Sequence, residues 1–197
     1  KQFIAALQPT LESQGWWGQQ VIVDSQGVGE LVQLGSPRRL KTIYQTNLQS
    51  AYMAGRKANM EETKDTHPYW MYIAILDGKT RPSHRALHGQ VFRHDDPIWA
   101  AIFPPNGFNC RCRVVALSEA AVKRRGLRIV SSEGRMFTDT VETGVNKRTG
   151  EIRTAEVTGL RTTDAAGRSV TFRTDPGFNH APGTGLADML KRKQTAA

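Results

Sequence analysis

The sequence predicts an α+β fold, a small sheet with packed helices followed by a β-rich segment of short strands. Three observations carry that expectation. Residues 36–60 show helical periodicity behind a Ser-Pro start. Two short apolar runs, 69–76 and 110–117, read as strands. Residues 127–185 then alternate short β-type runs with glycine-bearing turns. At 197 residues the chain is long enough for a core without disulfides. A hydrophobic share of 39% with 18 scattered glycines argues against coiled coil, collagen and wholesale disorder.

In chain order, residues 1–14 read as a short helix that Gly15, Trp16, Trp17 and Gly18 end, and Val21, Ile22 and Val23 as a brief extended piece. Ser36 is the expected N-cap of the longest helix, with Pro37 at N1, where its missing N–H costs nothing. Its expected buried face is Leu40, Ile43, Tyr44, Leu48, Ala51 and Tyr52. Arg38, Arg39 and Lys41 at its start oppose the macrodipole, so they face either an external anion or water. Residues 69–76, aromatic and β-branched, predict a strand buried on both faces, and Asp77-Gly78 a turn. Pro82 and Ser83 open a short helix carrying His84, Leu87 and His88, which Gly89 closes. After an extended Val91-Phe92, four residues (Pro97, Pro104, Pro105 and Gly107) keep 95–109 irregular. Residues 110–117 alternate as a strand, Ser118 caps a helix ending at Gly126, and 186–197 is a frayed helix or a tail.

The net charge of +9 and a pI near 9.9 suit a polyanionic neighbour. The excess is concentrated in 118–197, where 14 basic residues face 9 acidic ones and Lys123, Arg124, Arg125 and Arg128 cluster. That cluster is the expected nucleic-acid contact; the plainer reading is a solvated basic surface. No apolar run approaches the roughly 18 residues of a membrane span, and no membrane partner is expected. The chain opens with Lys1 and not methionine, and is read as a segment of a longer polypeptide or a processed form.

Asp77, Arg81, His84, His88, Cys110 and Cys112 gather metal-ligand chemistry in one section. On a strand, Cys110 and Cys112 at i and i+2 project two sulfurs to one face and Arg111 to the other. His84 and His88 at i and i+4 share a helical face. Two thiolates with imidazole suit tetrahedral zinc of the structural kind. Three other readings stay open: buried apolar thiols, a local disulfide, or histidines that are hydrogen-bonded fillers under a loop. The phosphate-loop, nucleophile-elbow and zinc-protease signatures are missing, so no catalytic residue is assigned. The alternative is a metal-dependent nuclease-like or toxin-like effector module, which needs His84 or His88 as a base beside Asp77.

The runs YQTNLQSAYMAGR (44–56), LDGKTRPSHRALHGQVF (76–92) and PPNGFNCRCRV (104–114) together resemble the Mu F-like phage head morphogenesis family. The matching positions are Asp77, Arg81, His84, Leu87, Gly89, Pro104, Pro105, Gly107, Phe108, Asn109, Cys110, Arg111 and Cys112; DPGFNHAPG (175–183) extends the likeness. The resemblance implies four segments: a connecting piece at 1–35, the Mu F-like domain at 36–126, a β-rich basic segment at 127–185 and a tail at 186–197. It implies a minor head protein of a tailed phage, a non-enzymatic part of head morphogenesis. Its partners would be portal protein, major capsid protein or both, with packaged double-stranded DNA as a further candidate. Its place would be the virion, at the capsid interior or portal vertex, and the host cytoplasm during assembly. The first-choice ligand set for a structural Zn2+ is then Asp77, His84, Cys110 and Cys112, with His88 as substitute for Asp77.

Overall fold

The computed structural model describes residues 2–23, 27–146 and 149–184. Helix α1 (Gln2–Ser13) leads into a two-stranded antiparallel hairpin, β1 (Gln19–Val23) with β2 (Gly29–Gln33). The extended piece around Val21 therefore has a partner that the sequence reading did not foresee, because Gly-Glu-Leu-Val-Gln carries only two apolar side chains. Main-chain bonds between Gly18 and both Leu34 and Gly35 close its base.

Helix α2 (Pro37–Glu62) starts as expected: the Ser36 hydroxyl accepts from the Arg39 N–H at 3.2 Å and Pro37 occupies the first turn. Its buried residues are Leu40, Met53 and Met60, which corrects the expected face: Ile43, Tyr44, Leu48 and Tyr52 are exposed. The inward stripe is polar as well as apolar, so counting hydrophobic residues missed it. From that stripe Gln49 donates to the Cys112 carbonyl at 3.2 Å and Arg56 to the Val114 carbonyl at 2.6 Å. Tyr44 instead stacks on Phe3 of α1, ring centres 4.7 Å apart. Arg39 is also spent internally, over the Trp16 ring and on the Leu34 carbonyl.

The central sheet has the order β4-β3-β5, all antiparallel: β3 (Tyr69–Ile73) lies between β4 (Val91–Arg93) and β5 (Arg113–Leu117). Both flanking predictions are shortened. β3 stops at Ile73, leaving Ile75 and Leu76 exposed, and β5 begins after the cysteines. Between β3 and β4 sits α3 (Pro82–Ala86), and between β4 and β5 sits α4 (Ile98–Ala101). The stretch expected to be irregular thus supplies core: Ile98, Trp99, Ile102 and Phe103 are all buried. Trp99 packs on Trp70, Phe92 and Phe103 at ring separations of 5.6, 5.7 and 6.0 Å and donates its indole N–H to the Arg93 carbonyl.

Helix α5 (Glu119–Arg124) is capped by Ser118 and followed by Gly126 at φ 58, as expected. The β-rich segment is a meander of β6 (Met136–Val145), β7 (Ile152–Thr163) and β8 (Ser169–Arg173). β6 and β7, at 10 and 12 residues, are longer than the short strands expected. Leu160 of β7 and Phe172 of β8 join Met53, Trp70, Leu87, Phe103 and Val114 in one hydrophobic cluster, so residues on both sides of position 126 share a core. The α+β class stands. The helix or tail expected at 186–197 lies outside the described residues. Among the described residues no helix is long and apolar enough to cross a membrane.

Candidate metal centre

Three separate segments converge behind the central sheet. The first is α3, where Pro82 presets the first turn and places His84 one turn in, 3% exposed and with its ring 5.1 Å from that of Phe172. The second is the loop before β5. Cys110 is half-buried and Cys112 buried, both free thiols, with the Cys110 N–H closing a turn onto the Gly107 carbonyl at 3.2 Å. Asn109 adopts φ 59, a left-handed conformation that asparagine tolerates better than most residues. The third is the stretch after β8. Asp175 accepts from Arg81 at 2.9 Å, its N–H donates to the Asn106 carbonyl at 3.0 Å, and Phe178 packs edge-on to Phe108. A Cβ at Gly107 would collide with the Asp175 carboxylate and the Arg81 guanidinium, so a side chain there forces these two side-chain ends to shift.

His84 Nδ1 lies 3.7 Å from Cys110 Sγ and 3.6 Å from Cys112 Sγ. The three ligand atoms all fall within 4.8 Å of one another, a cluster that could hold a metal ion. Asp77 and His88 are not part of that group. Asp77 receives a bidentate bond from Arg111, at 2.7 and 2.8 Å, and further bonds from the Lys79 N–H and the Thr80 hydroxyl. Arg111 thereby holds its carboxyl well below the usual carboxylate range. The i, i+4 relation of His84 and His88 does not form, because α3 ends at Ala86; His88 is exposed, with Nδ1 on the main chain of Ala74. The Cys-x-Cys alternation survives in effect although the strand starts later: both sulfurs face His84 and Arg111 points to Asp77.

The two thiols have opposite acidities. Hydrogen bonds from Cys112, from His84 and from the Asn106 backbone N–H stabilise a Cys110 thiolate, whose pKa is lowered to about 4 against the opposing pull of burial. Cys112 is pushed strongly upward, first by its hydrogen bond to Cys110 and then by burial, so it keeps its proton. Burial followed by the two neighbouring sulfurs also raises Tyr72, whose hydroxyl donates to Asn106 Oδ1 at 2.8 Å. Asn106 is fully buried and its Nδ2 has no partner among the described residues. Tyr72, Asn106, Phe172 and Asp175 were missed in the sequence. A usable signal existed only for Asp175, which opens the DPGFNHAPG run (175–183) that extends the family likeness.

The basic cluster lies on α5 and just after it. Lys123 pairs with Glu119 at 2.8 Å, whereas Arg124, Arg125 and Arg128 are exposed and make no ion pair among the described residues.

Helix α2, bonded to the β5 edge of the three-stranded sheet, and the His84, Cys110 and Cys112 cluster beside that edge fall largely within one family-matched region. Residues 5–115 match the family described as "Phage Mu protein F like protein", and the chain belongs to that family. It is 47% identical over 185 residues to "Putative capsid assembly protein F" of Escherichia phage Mu, covering 93% of this chain and 41% of that protein. It is 43% identical over 199 residues to "Mu-like prophage FluMu F protein" of Haemophilus influenzae, covering 98% of this chain and 46% of that one. The chain thus spans less than half the length of these curated relatives. No solved structure matches it.

Proposed function

We propose that this chain is part of a minor head protein that acts as a structural component in assembling the capsid of a tailed phage. The observation that carries the reading is 47% identity, across 93% of this chain, to a protein named for capsid assembly. Its partners on this reading are the portal protein, the major capsid protein or both, at the portal vertex or capsid interior, with host cytoplasm as the place of assembly. Arg124, Arg125 and Arg128, which make no ion pair among the described residues, supply with Lys123 a sequence-independent contact to packaged double-stranded DNA. The His84, Cys110 and Cys112 cluster is read as a zinc site whose task is structural. It joins two segments that contribute only short regular elements, where a metal supplies folding free energy that a small local core does not.

The test is co-purification of the full-length protein with purified portal and purified major capsid protein, beside elemental analysis of the purified chain. Retention by either head protein at moderate salt is expected. Retention by neither, with normal heads assembling in its absence, overturns the reading.

A further inference from the structure

The site holds three protein ligands, and tetrahedral zinc needs a fourth. Zinc bonds of about 2.0 Å to nitrogen and 2.3 Å to sulfur set an N···S edge of ~3.5 Å in a tetrahedron. The observed edges, 3.6 and 3.7 Å, are already close to that length. The obvious internal candidates for the fourth position are engaged elsewhere: Asp77 by Arg111, His88 by the Ala74 main chain, and the Tyr72 hydroxyl by Asn106.

His84, Cys110 and Cys112 all line a single cavity of about 240 Å³. Its other walls include Lys79, Arg81 and Arg111. Zinc with two thiolates and a neutral imidazole carries no net charge. Arg81 and Arg111 are balanced by Asp175 and Asp77. Lys79 is exposed and makes no ion pair among the described residues, which leaves one positive charge facing the cavity.

We infer that zinc on His84, Cys110 and Cys112 keeps its fourth position open to this cavity, and that the position takes a small oxygen monoanion, a carboxylate, from outside the domain. The inference rests on the zinc reading above. Metal binding releases the Cys112 proton. With Nδ1 on the metal the imidazole proton sits on Nε2, so the Arg81 guanidinium, 3.4 Å away and itself a donor, gives up its bond to that nitrogen and keeps the one to Asp175. The metal keeps its task of tying the two ligand segments together, and its open position makes it in addition a docking point for an acidic side chain during assembly.

The experiment uses Co2+ in place of zinc on the purified chain, with acetate as the probe. Sulfur-to-cobalt charge-transfer absorption reports the metal on the thiolates, and the ligand-field bands report the fourth ligand. Expected are intense charge-transfer bands, a saturable shift of the ligand-field bands on adding acetate, and no change in the acetate-free spectrum for Asp77→Asn. Lys79→Ala, an exposed substitution, should weaken acetate binding about three- to tenfold while leaving cobalt binding unchanged. Unchanged bands at all acetate concentrations overturn the open position, and an altered acetate-free spectrum in Asp77→Asn assigns the fourth ligand to that carboxylate instead. Absence of charge-transfer bands overturns the zinc reading itself, an outcome separate from the other two.

Discussion

Arg81 Nη2 lies 2.9 Å from Asp175 Oδ2, joining residues 94 apart in sequence across the mouth of the His-Cys-Cys cluster. Both side chains are partly exposed, so the pair itself contributes little, about 0–1 kcal/mol. Its closeness to Gly107 matters more, because that glycine is boxed in by both partners. Gly107→Ala is therefore expected to cost about 1–3 kcal/mol through forced displacement, and Asp175→Ala less. Urea unfolding of both variants decides the order; a larger loss for Asp175→Ala would show that the ion pair, and not the close approach, holds the loop.

Cys112 is 3% exposed and touches the core, so its truncation has a packing cost with or without metal. In chelated protein Cys112→Ala is expected to lose about 1–2 kcal/mol, within the ordinary range for a small buried side chain. In zinc-loaded protein the loss should grow to several kcal/mol, because a ligand goes with it. Denaturant titrations with and without chelator measure the difference. Equal losses in the two conditions would make the thiol a filler.

Acidity gives a separate expectation for the chelated protein. Cys110 is depressed to about 4 in the fold, so between that value and the ordinary thiol value the unfolded chain binds more protons than the native one. Stability from this group is present above the ordinary thiol pKa and is lost as pH falls through about 4. Cys112 is raised, so its contribution holds below the ordinary thiol value and fades above it. Urea midpoints should rise from acid toward mildly alkaline pH and then decline. Cys110→Ser should flatten the rising limb, and an unchanged slope in that variant would remove the thiolate as its source.

The parts legible in the sequence were those that local chemistry decides. The Ser36-Pro37 start of α2, the Ser118 cap and the central strand at 69–73 depend on residues within a few positions of each other. What stayed hidden depends on partners far away. The inward face of α2 is selected by carbonyls of residues 112 and 114 that accept from Gln49 and Arg56, so its polar residues point in and Leu48 and Tyr52 point out. The site followed the same division. Ligand chemistry singled out Cys110, Cys112 and His84, whose ligand atoms the fold brings together, while Asp77 is bonded to Arg111, a partner no local pattern gives it. No local pattern announces that Asn106 and Tyr72 share a buried bond or that Phe172 arrives from a strand that begins well beyond the end of β5, at Ser169.

Tyr72 and Asn106 offer a check on the floor of the site. The Tyr72 hydroxyl is the donor to Asn106 Oδ1, and the amide nitrogen of the same residue already lacks a partner. Tyr72→Phe leaves a fully buried amide with a second unsatisfied atom, and the expected cost is about 1–3 kcal/mol. A loss below 0.5 kcal/mol, roughly the scatter of surface substitutions, would mean that water or a rotated amide replaces the bond.

The last expectation separates the four cations of the basic cluster. All are exposed, but Glu119 holds Lys123 at 2.8 Å and raises its pKa through that bond, while Arg124, Arg125 and Arg128 have no acidic partner among the described residues. A phosphate must compete with Glu119 for Lys123 and meets the arginines unopposed. Each phosphate neutralised releases counterions, so binding to any duplex should weaken linearly in log salt, with a slope that falls by about 0.9 per contact removed. Arg124→Ala, Arg125→Ala and Arg128→Ala combined are expected to reduce the slope by about 2 to 3, and Lys123→Ala alone by well under 1. Gel-shift titrations at several salt concentrations on duplexes of two unrelated sequences measure both the slope and its indifference to sequence. Undetectable binding at low salt, with retention of the same protein by purified portal, would assign the arginines to an acidic protein surface instead of DNA.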